Sequence, residues 1–343
     1  MIKKINFTIY NFVKNLVYFT FSKIIILSLL FAKILRYKLI YTSSYGFGDN
    51  VIFNVFARKK IEKNKIFCYS KTQYEISNFF YDKKNIFRSI ILLPKILNES
   101  HIAYNYLVNS NFFKPIFIKR MAFDGKYLPI SFLYHGNIKI KKFIISKLKK
   151  KEISKDLERV LKKKTITLFI KNFSLNRNNH INFQVRQTRD LKKIYKLINY
   201  ILKKKINIII LGNNKDHFIK ILEKKMVVKN KKNLYLFKNL SKNYSIQDQI
   251  YLALKSIGCV GSGSGANSIF GILKNKQLYI DWITQNHDKY WKKKITFMYK
   301  RIYNKKTEKT YRMSWYKKYD PSYETIIENN FEEIKIKFNK IFI

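Results

Sequence analysis

Along the second half of the chain, short apolar segments alternate with lysine-rich segments that carry an apolar residue every three or four positions. The apolar segments have the length of strands, and the three- to four-residue spacing is that of amphipathic helices. This pattern predicts strands at 165–170, 206–211, 234–237, 257–260 and 278–280, and helices at 191–204, 218–225, 245–255 and 269–273. Strands that alternate with helices are typical of a parallel, doubly wound α/β sheet.

The first half shows the same alternation with less contrast, and it predicts strands at 39–42, 66–69, 90–93 and 116–118. A basic stretch from Lys139 to Lys164 has apolar residues near helical spacing and is predicted to be helical at a domain boundary. A last amphipathic helix is predicted from Pro321 to Phe338. Residues 286–319 are rich in Lys, Tyr and Trp, a mixture that can stack bases or lie at a membrane interface, but we interpret them as solvated surface.

Residues 1–40 are apolar and basic. The uninterrupted apolar run from Ile24 to Ala32 is well short of the roughly 20 residues that span a bilayer, and no small-residue cleavage site of a signal peptide follows it. Three interpretations stay open: an interfacial helix on the cytoplasmic face of a membrane, a helix packed on the protein's own core, and a tilted single span.

Composition narrows the class of protein. The 343 residues can form two domains that each bury a core, and the hydrophobic fraction of 47% excludes wholesale disorder. The formal charge is +49, but the lysines are spread along the chain together with abundant Asn and Ile, so part of the charge is a compositional background. It still predicts attraction to anionic surfaces, including membrane lipids and nucleotide-linked substrates.

Cysteine and histidine usage argues against structural metal and disulfides. Cys68 and Cys259 are far apart and have no paired spacing, which is typical of a protein of the reducing cytosol. The five histidines have no H-x-x-x-H or similar spacing, so we predict no structural metal site.

A glycine-serine turn stands between a predicted strand and a predicted helix, where Gly261, Gly263 and Gly265 alternate with Ser262 and Ser264. Glycine allows close approach of the backbone, serine adds hydroxyl donors, and a helix N-terminus offers N–H groups to an anion. The pattern indicates a phosphate or diphosphate site. It is neither the dinucleotide fingerprint nor a P-loop; a flexible linker and a turn without a ligand are the alternatives.

A second strand–glycine–helix junction contains Gly46, Gly48 and Asp49. Asp49 is either a helix N-cap or a general base at the carboxyl edge of a parallel sheet, where ligands of open α/β sheets bind. Lys171 and Gly212 each follow a predicted strand, so Lys171 brings a cation to a sheet edge.

Four segments occur in the order found in ADP-heptose–lipopolysaccharide heptosyltransferases and related bacterial glycosyltransferases. They are YGFGDNVIF, RDLKKIYKLINYILKKKINIIILGN, NLSKNYSIQDQIYLALKSIGCVG and SGSGANSIFGILKNKQLYID. The chain resembles that family in outline over most of its length. It departs from the family pattern where Gly263 replaces an aspartate and where Asn267 and Ser268 replace a histidine, so the identity of the donor stays open.

The resemblance implies the GT-B fold, in which two Rossmann-like, doubly wound α/β domains face a central cleft. We expect an apolar-basic helix at 1–40 that is membrane-proximal or packed on the protein, and an acceptor-binding domain at 41–160. A nucleotide-sugar-binding domain is expected at 161–320, and a C-terminal helix at 321–343 that crosses back to the first domain.

The resemblance also implies roles for particular residues. Asp49 would be the base that deprotonates the acceptor hydroxyl, and Lys171 would neutralise phosphate. Backbone N–H groups of the turn would stabilise the donor diphosphate, and Arg186 or Arg189 would add a bidentate contact. The implied donor-binding set is Lys171, Arg186, Arg189, Gly212, Ser262, Gly263, Ser264, Gly265, Ala266 and Asn267.

The implied activity is metal-independent, hexosyl- or heptosyltransferase-like sugar transfer that needs no cofactor and uses a nucleotide sugar as co-substrate. The acceptor would be a glycan or lipid-linked intermediate of cell-surface polysaccharide or lipopolysaccharide synthesis. A cytoplasmic protein in peripheral contact with an anionic membrane is expected, without a specific nucleic-acid partner. The alternatives are a basic nucleic-acid- or membrane-surface-binding protein without catalysis, and another nucleotide-sugar enzyme such as an epimerase.

Overall fold

The chain forms two compact units. One comprises Met1–Pro129 and Lys142–Lys147, and the other comprises Ile130–Lys141 and Leu148–Ile343. The computed structural model describes residues 13, 16, 19–20, 23–37, 39–41, 51, 54–55, 58, 65–93, 138–172, 187–212, 217–224, 232–241, 244–262, 268–273, 275–283, 295–314 and 319–343. The strand predicted at 116–118 lies outside these residues.

The first unit contains a three-stranded parallel sheet in the order β1-β2-β3. Its strands are β1 (Leu39–Tyr41), β2 (Lys65–Ser70) and β3 (Ile86–Leu93). After β2 the chain turns directly into helix α1 (Lys71–Ser77), because Ser70 and Gln73 form a reciprocal capping box at its start. Residues 23–34 are helical and pack three apolar side chains on the sheet, namely Ile25, Leu29 and Ala32.

The second unit is built on six strands that pair in parallel throughout, in the order β6-β5-β4-β7-β8-β9. They are β4 (Thr165–Phe169), β5 (Asn207–Ile210), β6 (Leu234–Leu236), β7 (Gly258–Gly261), β8 (Lys276–Trp282) and β9 (Ile295–Tyr299). Further α-helices are α2 (Ile138–Lys147), α3 (Lys155–Leu161), α4 (Leu191–Lys203), α5 (His217–Lys224), α6 (Phe237–Leu240), α7 (Ile246–Lys255), α8 (Ser268–Ile272) and α9 (Phe331–Phe342). The predicted mixed α/β class with a parallel sheet is confirmed.

One large apolar core lies between this sheet and three helices. Alternate residues of the strands, such as Ile166 and Leu168 in β4, face side chains of α4, α5 and α9. Helix α4 begins where Asp190 accepts a hydrogen bond from the Lys192 amide at 2.9 Å, which caps its N-terminus. The buried face of α9 (Ile334, Phe338 and Phe342) belongs to this core.

Three stretches differ from their predictions. The composition of residues 286–319 predicts solvated surface, yet they contain β9, β10 (Arg301–Asn304) and β11 (Lys309–Arg312). Strands β10 and β11 pair antiparallel with each other, and β12 (Glu324–Ile327) pairs with β10. Because β11 is largely exposed, its composition is that of a surface although its backbone is ordered by pairing.

The other two differences concern helix boundaries. The last helix begins at Phe331 and not at Pro321, because Asn330 and Glu333 form a capping box at its start. The basic stretch from Lys139 to Lys164 is broken between α2 and α3, where the Ser154 amide donates to Asp248 Oδ1 at 2.9 Å. No helix of the described residues is both long enough and apolar enough to cross a membrane.

Candidate functional site

The strand order of the large sheet reverses between β4 and β7. From β4 the chain adds β5 and β6 on one side, and it then returns to add β7, β8 and β9 on the other side. In open parallel sheets, ligands bind outside the carboxyl ends of the strands at such a switch point, because the connections on either side diverge and leave a crevice.

Lys171 and Ser262 meet at this switch point although they are 91 residues apart in sequence. Phe169 and Gly261 are register partners at the ends of β4 and β7. The Ser262 amide donates to the Phe169 carbonyl oxygen at 3.0 Å, and the Lys171 amide donates to Ser262 Oγ at 2.5 Å. Two residues that the sequence named from separate motifs therefore share one hydrogen-bonded corner.

Only glycine fits at position 261, because the neighbouring strand leaves no space for a side chain. A Cβ atom added there would lie 1.9 Å from the carbonyl oxygen of Phe169, which belongs to the backbone of the neighbouring strand. Since that atom is not the end of a flexible side chain, no small adjustment relieves the clash. The close approach of β4 and β7, and with it the Lys171–Ser262 contact, depends on a residue without a side chain.

Gly212 follows β5 at the same edge of the sheet. The preceding residue, Leu211, donates its amide to the Leu168 carbonyl at 2.8 Å, and the Gly212 carbonyl accepts a hydrogen bond from the Tyr244 hydroxyl. Gly212 is thus positioned next to the end of β4, and its role in donor binding stays a prediction.

Asn172 is a further candidate site residue, which no sequence motif marked. Its Nδ2 donates to the Thr188 carbonyl at 2.8 Å, and the Thr188 amide donates to the Lys171 carbonyl at 3.0 Å. The Asn172 Oδ1 atom is buried and has no hydrogen-bond partner. A buried acceptor without a partner is costly, so this atom is suited to accept from an N–H or O–H group of a ligand.

A buried ionic cluster lies next to this edge. We use that name for Lys193, Asp281, Lys300 and Glu328. The Lys193 ammonium lies 2.8 Å from Asp281 Oδ2 and 2.9 Å from Glu328 Oε2, and the Lys300 ammonium lies 3.2 Å from Glu328 Oε1. The side chains of Lys193, Asp281 and Lys300 are at most 3% exposed. Two cations face two carboxylates, so the formal charges balance.

The buried ionic cluster fixes the segment 187–190 that precedes α4. Glu328 accepts hydrogen bonds from the amides of Arg189 at 2.8 Å and Asp190 at 3.1 Å. Asp281 accepts one from the Thr188 hydroxyl at 3.0 Å, and Lys300 donates to the Gln187 carbonyl. The predicted donor-site residue Arg189 therefore has a fixed backbone and an exposed side chain.

In the buried ionic cluster, neighbouring charges oppose the effect of burial on the pKa values of Glu328 and Lys300. Burial alone would raise the pKa of Glu328, but the charges of Lys300 and Lys193, with hydrogen bonds from Lys193 and the Arg189 amide, lower this pKa to about 2. Burial lowers the pKa of Lys300, and the neighbouring carboxylates of Glu328 and Asp281 oppose that shift only in part. Glu328 is thus a carboxylate at every physiological pH.

Asp281 has an unusual backbone conformation for a residue at the end of a strand. Its φ of 51° lies in the left-handed region, which aspartate tolerates better than most residues. Asn329 holds it there, because Asn329 Oδ1 accepts from the Asp281 amide at 2.7 Å and the Asn329 amide donates back to Asp281 Oδ1 at 2.9 Å.

Several predicted residues lie outside the part of the chain that the structure describes. They are Asp49, Arg186, Gly263, Ser264, Gly265, Ala266 and Asn267. Their predicted roles as base and as donor-binding groups therefore stay predictions.

Neither cysteine is suited to be a nucleophile. Both thiols are buried and free, and burial raises the pKa of Cys68 to about 12 and that of Cys259 still further. Among the residues with described positions, no group of three or more His, Cys, Asp or Glu side chains is arranged to hold a metal ion.

No protein-family model matches the sequence, and no curated protein matches it either. Solved structures that it resembles include ADP-heptose lipopolysaccharide heptosyltransferase II of E. coli, which at 9% identity covers 76% of this chain and 90% of its own, with a TM-score of 0.44. A family 9 glycosyl transferase of Veillonella parvula gives 9% identity, coverage of 76% and 86%, and a TM-score of 0.44.

The UDP-GlcNAc 2-epimerase of Methanocaldococcus jannaschii is also similar, with 10% identity, coverage of 81% of this chain and 70% of its own, and a TM-score of 0.39. The heptosyltransferases of the sequence resemblance are thus also among the solved structures that this chain resembles.

Proposed function

We propose that this chain is a glycosyltransferase that moves a sugar from a nucleotide-sugar donor to a glycan or lipid-linked acceptor in cell-surface polysaccharide or lipopolysaccharide synthesis. The observation that carries the proposal is the junction of Lys171 and Ser262 at the switch point of a six-stranded parallel sheet. A cation and a glycine-serine turn at the carboxyl ends of adjacent strands are suited to a diphosphate.

The donor side is assigned to residues 161–320. Lys171 neutralises charge on the diphosphate, and the turn that continues from Ser262 to Asn267 offers backbone N–H groups to it. Arg189, on the segment fixed by the buried ionic cluster, and Arg186 add bidentate contacts. Asn172 Oδ1 accepts from a hydroxyl of the sugar or an amino group of the base.

The acceptor side is assigned to residues 41–160, with Asp49 as the base. Its carboxylate takes the proton of the acceptor hydroxyl while that oxygen attacks the anomeric carbon, and the nucleoside diphosphate leaves with the electron pair of the broken C–O bond. The turn amides and Lys171 stabilise the charge that develops on the leaving group. Metal independence and the cytoplasmic location belong to the same proposal.

A thermal-shift experiment tests donor binding, because a ligand that binds only the folded state raises the melting temperature. The panel is the common nucleoside diphosphates and their sugar derivatives. We expect one nucleotide family to raise the melting temperature of the wild type and of Lys163→Ala, but not of Lys171→Ala. Lys163 is a matched control, since it is an exposed lysine at the opposite end of β4.

Product analysis separates transfer from the alternatives. The donor that gives the shift is labelled in its sugar and incubated with a membrane lipid extract. Labelled lipid or glycan that disappears in Asp49→Asn, while the thermal shift stays, supports transfer with Asp49 as the base. Free nucleoside diphosphate without a glycosylated product favours hydrolysis or epimerisation. Sugar transfer by a well-folded Asp49→Asn variant removes Asp49 from the mechanism.

A salt titration addresses the nucleic-acid alternative. Binding to a polyanion falls steeply with salt, because counterions are released. The thermal shift with the selected nucleotide sugar should keep its preference over the other nucleotides at high salt. If every polyanion raises the melting temperature equally and salt abolishes all of these increases, the protein has no specific site for a nucleotide-sugar donor.

A further inference from the structure

The helix at residues 23–34 has apolar side chains on two opposite faces. On one face, Ile25, Leu29 and Ala32 are at most 1% exposed and pack against Leu39 and two aromatic residues of β2. These contacts fix the helix to its own sheet. A helix of the usual amphipathic kind would be polar on its other side.

The opposite side is apolar and open to solvent instead. We call it the outward face and define it as Leu27, Phe31 and Ile34. Leu27 is 47% exposed, Phe31 50% and Ile34 75%, and they are spaced three or four residues apart, so they lie in one row. Seven of the twelve large apolar residues that are exposed in the described chain fall between positions 13 and 35.

Another exposed apolar side chain lies beside this helix. Ile90 of β3 is 58% exposed, and its amide donates to Ser28 Oγ at 3.1 Å. Ser28 also bonds the Ser89 hydroxyl at 3.1 Å, so the helix is anchored to β3 by polar contacts as well as by its core. A concentration of exposed apolar side chains in one region of a protein usually marks an interaction site.

The positive charge around this surface indicates which kind of partner it binds. Residues 1–40 contain six lysines and Arg36 but no aspartate or glutamate. Lys23 lies four positions before Leu27 and within 5.0 Å of the Phe19 ring centre, and Arg36 is exposed just beyond the helix. Lysine is depleted from protein–protein interfaces, whereas apolar residues flanked by basic ones are what a helix on an anionic bilayer requires.

We propose that the outward face is a docking surface for an anionic lipid bilayer. The helix lies in the plane of the interface, with Leu27, Phe31 and Ile34 toward the acyl chains and the basic residues at the level of the lipid phosphates. Among the described residues, no helix is long and apolar enough to cross a bilayer. Since the opposite face stays packed on the sheet, docking requires no local unfolding. This surface does not depend on the proposed catalytic function.

Vesicle flotation tests the proposal on the full chain. We expect the protein to float with vesicles of phosphatidylcholine and phosphatidylglycerol, and much less with phosphatidylcholine alone. The triple variant Leu27→Gln/Phe31→Gln/Ile34→Gln should lose flotation by about tenfold or more, because three apolar side chains no longer leave water. The matched control is Ile145→Gln/Ile336→Gln, which removes exposed isoleucines from α2 and α9 (47% and 65% exposed) and should float like wild type.

Two readouts keep the result interpretable. The thermal unfolding of the triple variant should match that of wild type, since the three side chains are exposed, and its nucleotide-induced thermal shift should be unchanged. Flotation without any nucleotide response would leave this inference standing and remove only the proposed function.

Three outcomes overturn the inference. The first is no flotation with phosphatidylglycerol vesicles, and the second is equal flotation of wild type and a folded triple variant. The third is a dimer in size-exclusion chromatography that the triple variant dissociates while neither form floats, because the outward face would then be covered by a second copy of the chain.

Discussion

The ammonium of Lys193 lies 2.8 Å from the carboxylate of Asp281, and both side chains are almost completely removed from solvent. The pair joins the first turn of α4 to the end of β8, 88 residues apart in sequence. Because Asp281 also accepts from Thr188 and exchanges hydrogen bonds with Asn329, this one pair connects the segment before α4 to the carboxyl edge of the sheet.

Replacing Lys193 by Met should destabilise the protein by about 3–5 kcal/mol, because Asp281 and Glu328 would stay buried with one cation fewer. The double variant Lys193→Met/Asp281→Asn should recover part of that loss, since asparagine tolerates the left-handed conformation at position 281. Urea unfolding measures both free energies.

The neighbouring lysine provides the control for that experiment. Lys192 is exposed, so Lys192→Met should change the free energy of unfolding by no more than about 0.5 kcal/mol. Equal effects at positions 192 and 193 would show that the buried pair contributes nothing.

Glu328 should make the free energy of unfolding depend on pH in the acidic range. Its pKa is about 2 in the folded protein and 4.5 ordinarily, so the folded state holds the carboxylate more strongly than the unfolded chain does. This contribution is fully present above pH 4.5 and is lost as the pH falls from 4.5 toward 2. The free energy of unfolding of wild type should therefore fall more steeply over that range than that of Glu328→Gln. Parallel curves for the two proteins would contradict the assignment.

Gly261→Ala should separate β4 from β7. The added Cβ would lie 1.9 Å from the Phe169 carbonyl oxygen, and we expect a loss of about 2–3 kcal/mol together with the loss of nucleotide binding. Cys259→Ala, on the same strand, removes atoms and adds none, so it should cost about 1 kcal/mol and keep the binding response. Thermal melts with and without nucleotide distinguish the two. If the Gly261→Ala variant has the same free energy of unfolding as wild type, the expected clash with the Phe169 carbonyl oxygen does not occur.

Asn172→Ala tests the unpartnered acceptor at the switch point. If Oδ1 binds the donor, the dissociation constant of the nucleotide sugar should rise by about tenfold. Asn339→Ala is the matched control for Asn172→Ala. The Asn339 side chain likewise makes one hydrogen bond, which it accepts from the Tyr200 hydroxyl at 2.6 Å, but Asn339 lies in α9. Calorimetric titration should show unchanged affinity for Asn339→Ala. The same affinity in both variants would remove Asn172 from the site.

The strands of the large sheet show what a sequence can predict. Strands β4, β5, β7 and the middle of β8 are buried on both faces, so they contain no charged residue and are recognisable in a lysine-rich chain without any partner. In contrast, β10 and β11 mix basic, polar and aromatic residues without a continuous apolar run, and they are strands because β10 pairs with both β11 and β12. Pairing is a contact between distant segments, and local composition does not encode it.

The candidate site, like the sheet, has features that the sequence predicts and features that only the tertiary structure determines. The sequence by itself determined that Lys171 and Ser262 each follow a strand, because strand ends are marked by local changes in polarity. Only the tertiary structure decided that β4 and β7 are neighbours, which brings these two residues into one corner. It also decided which charges are buried. In a chain with 70 lysines and arginines, nothing local distinguishes Lys193 and Lys300, since the carboxylates that compensate their burial come from distant strands and loops.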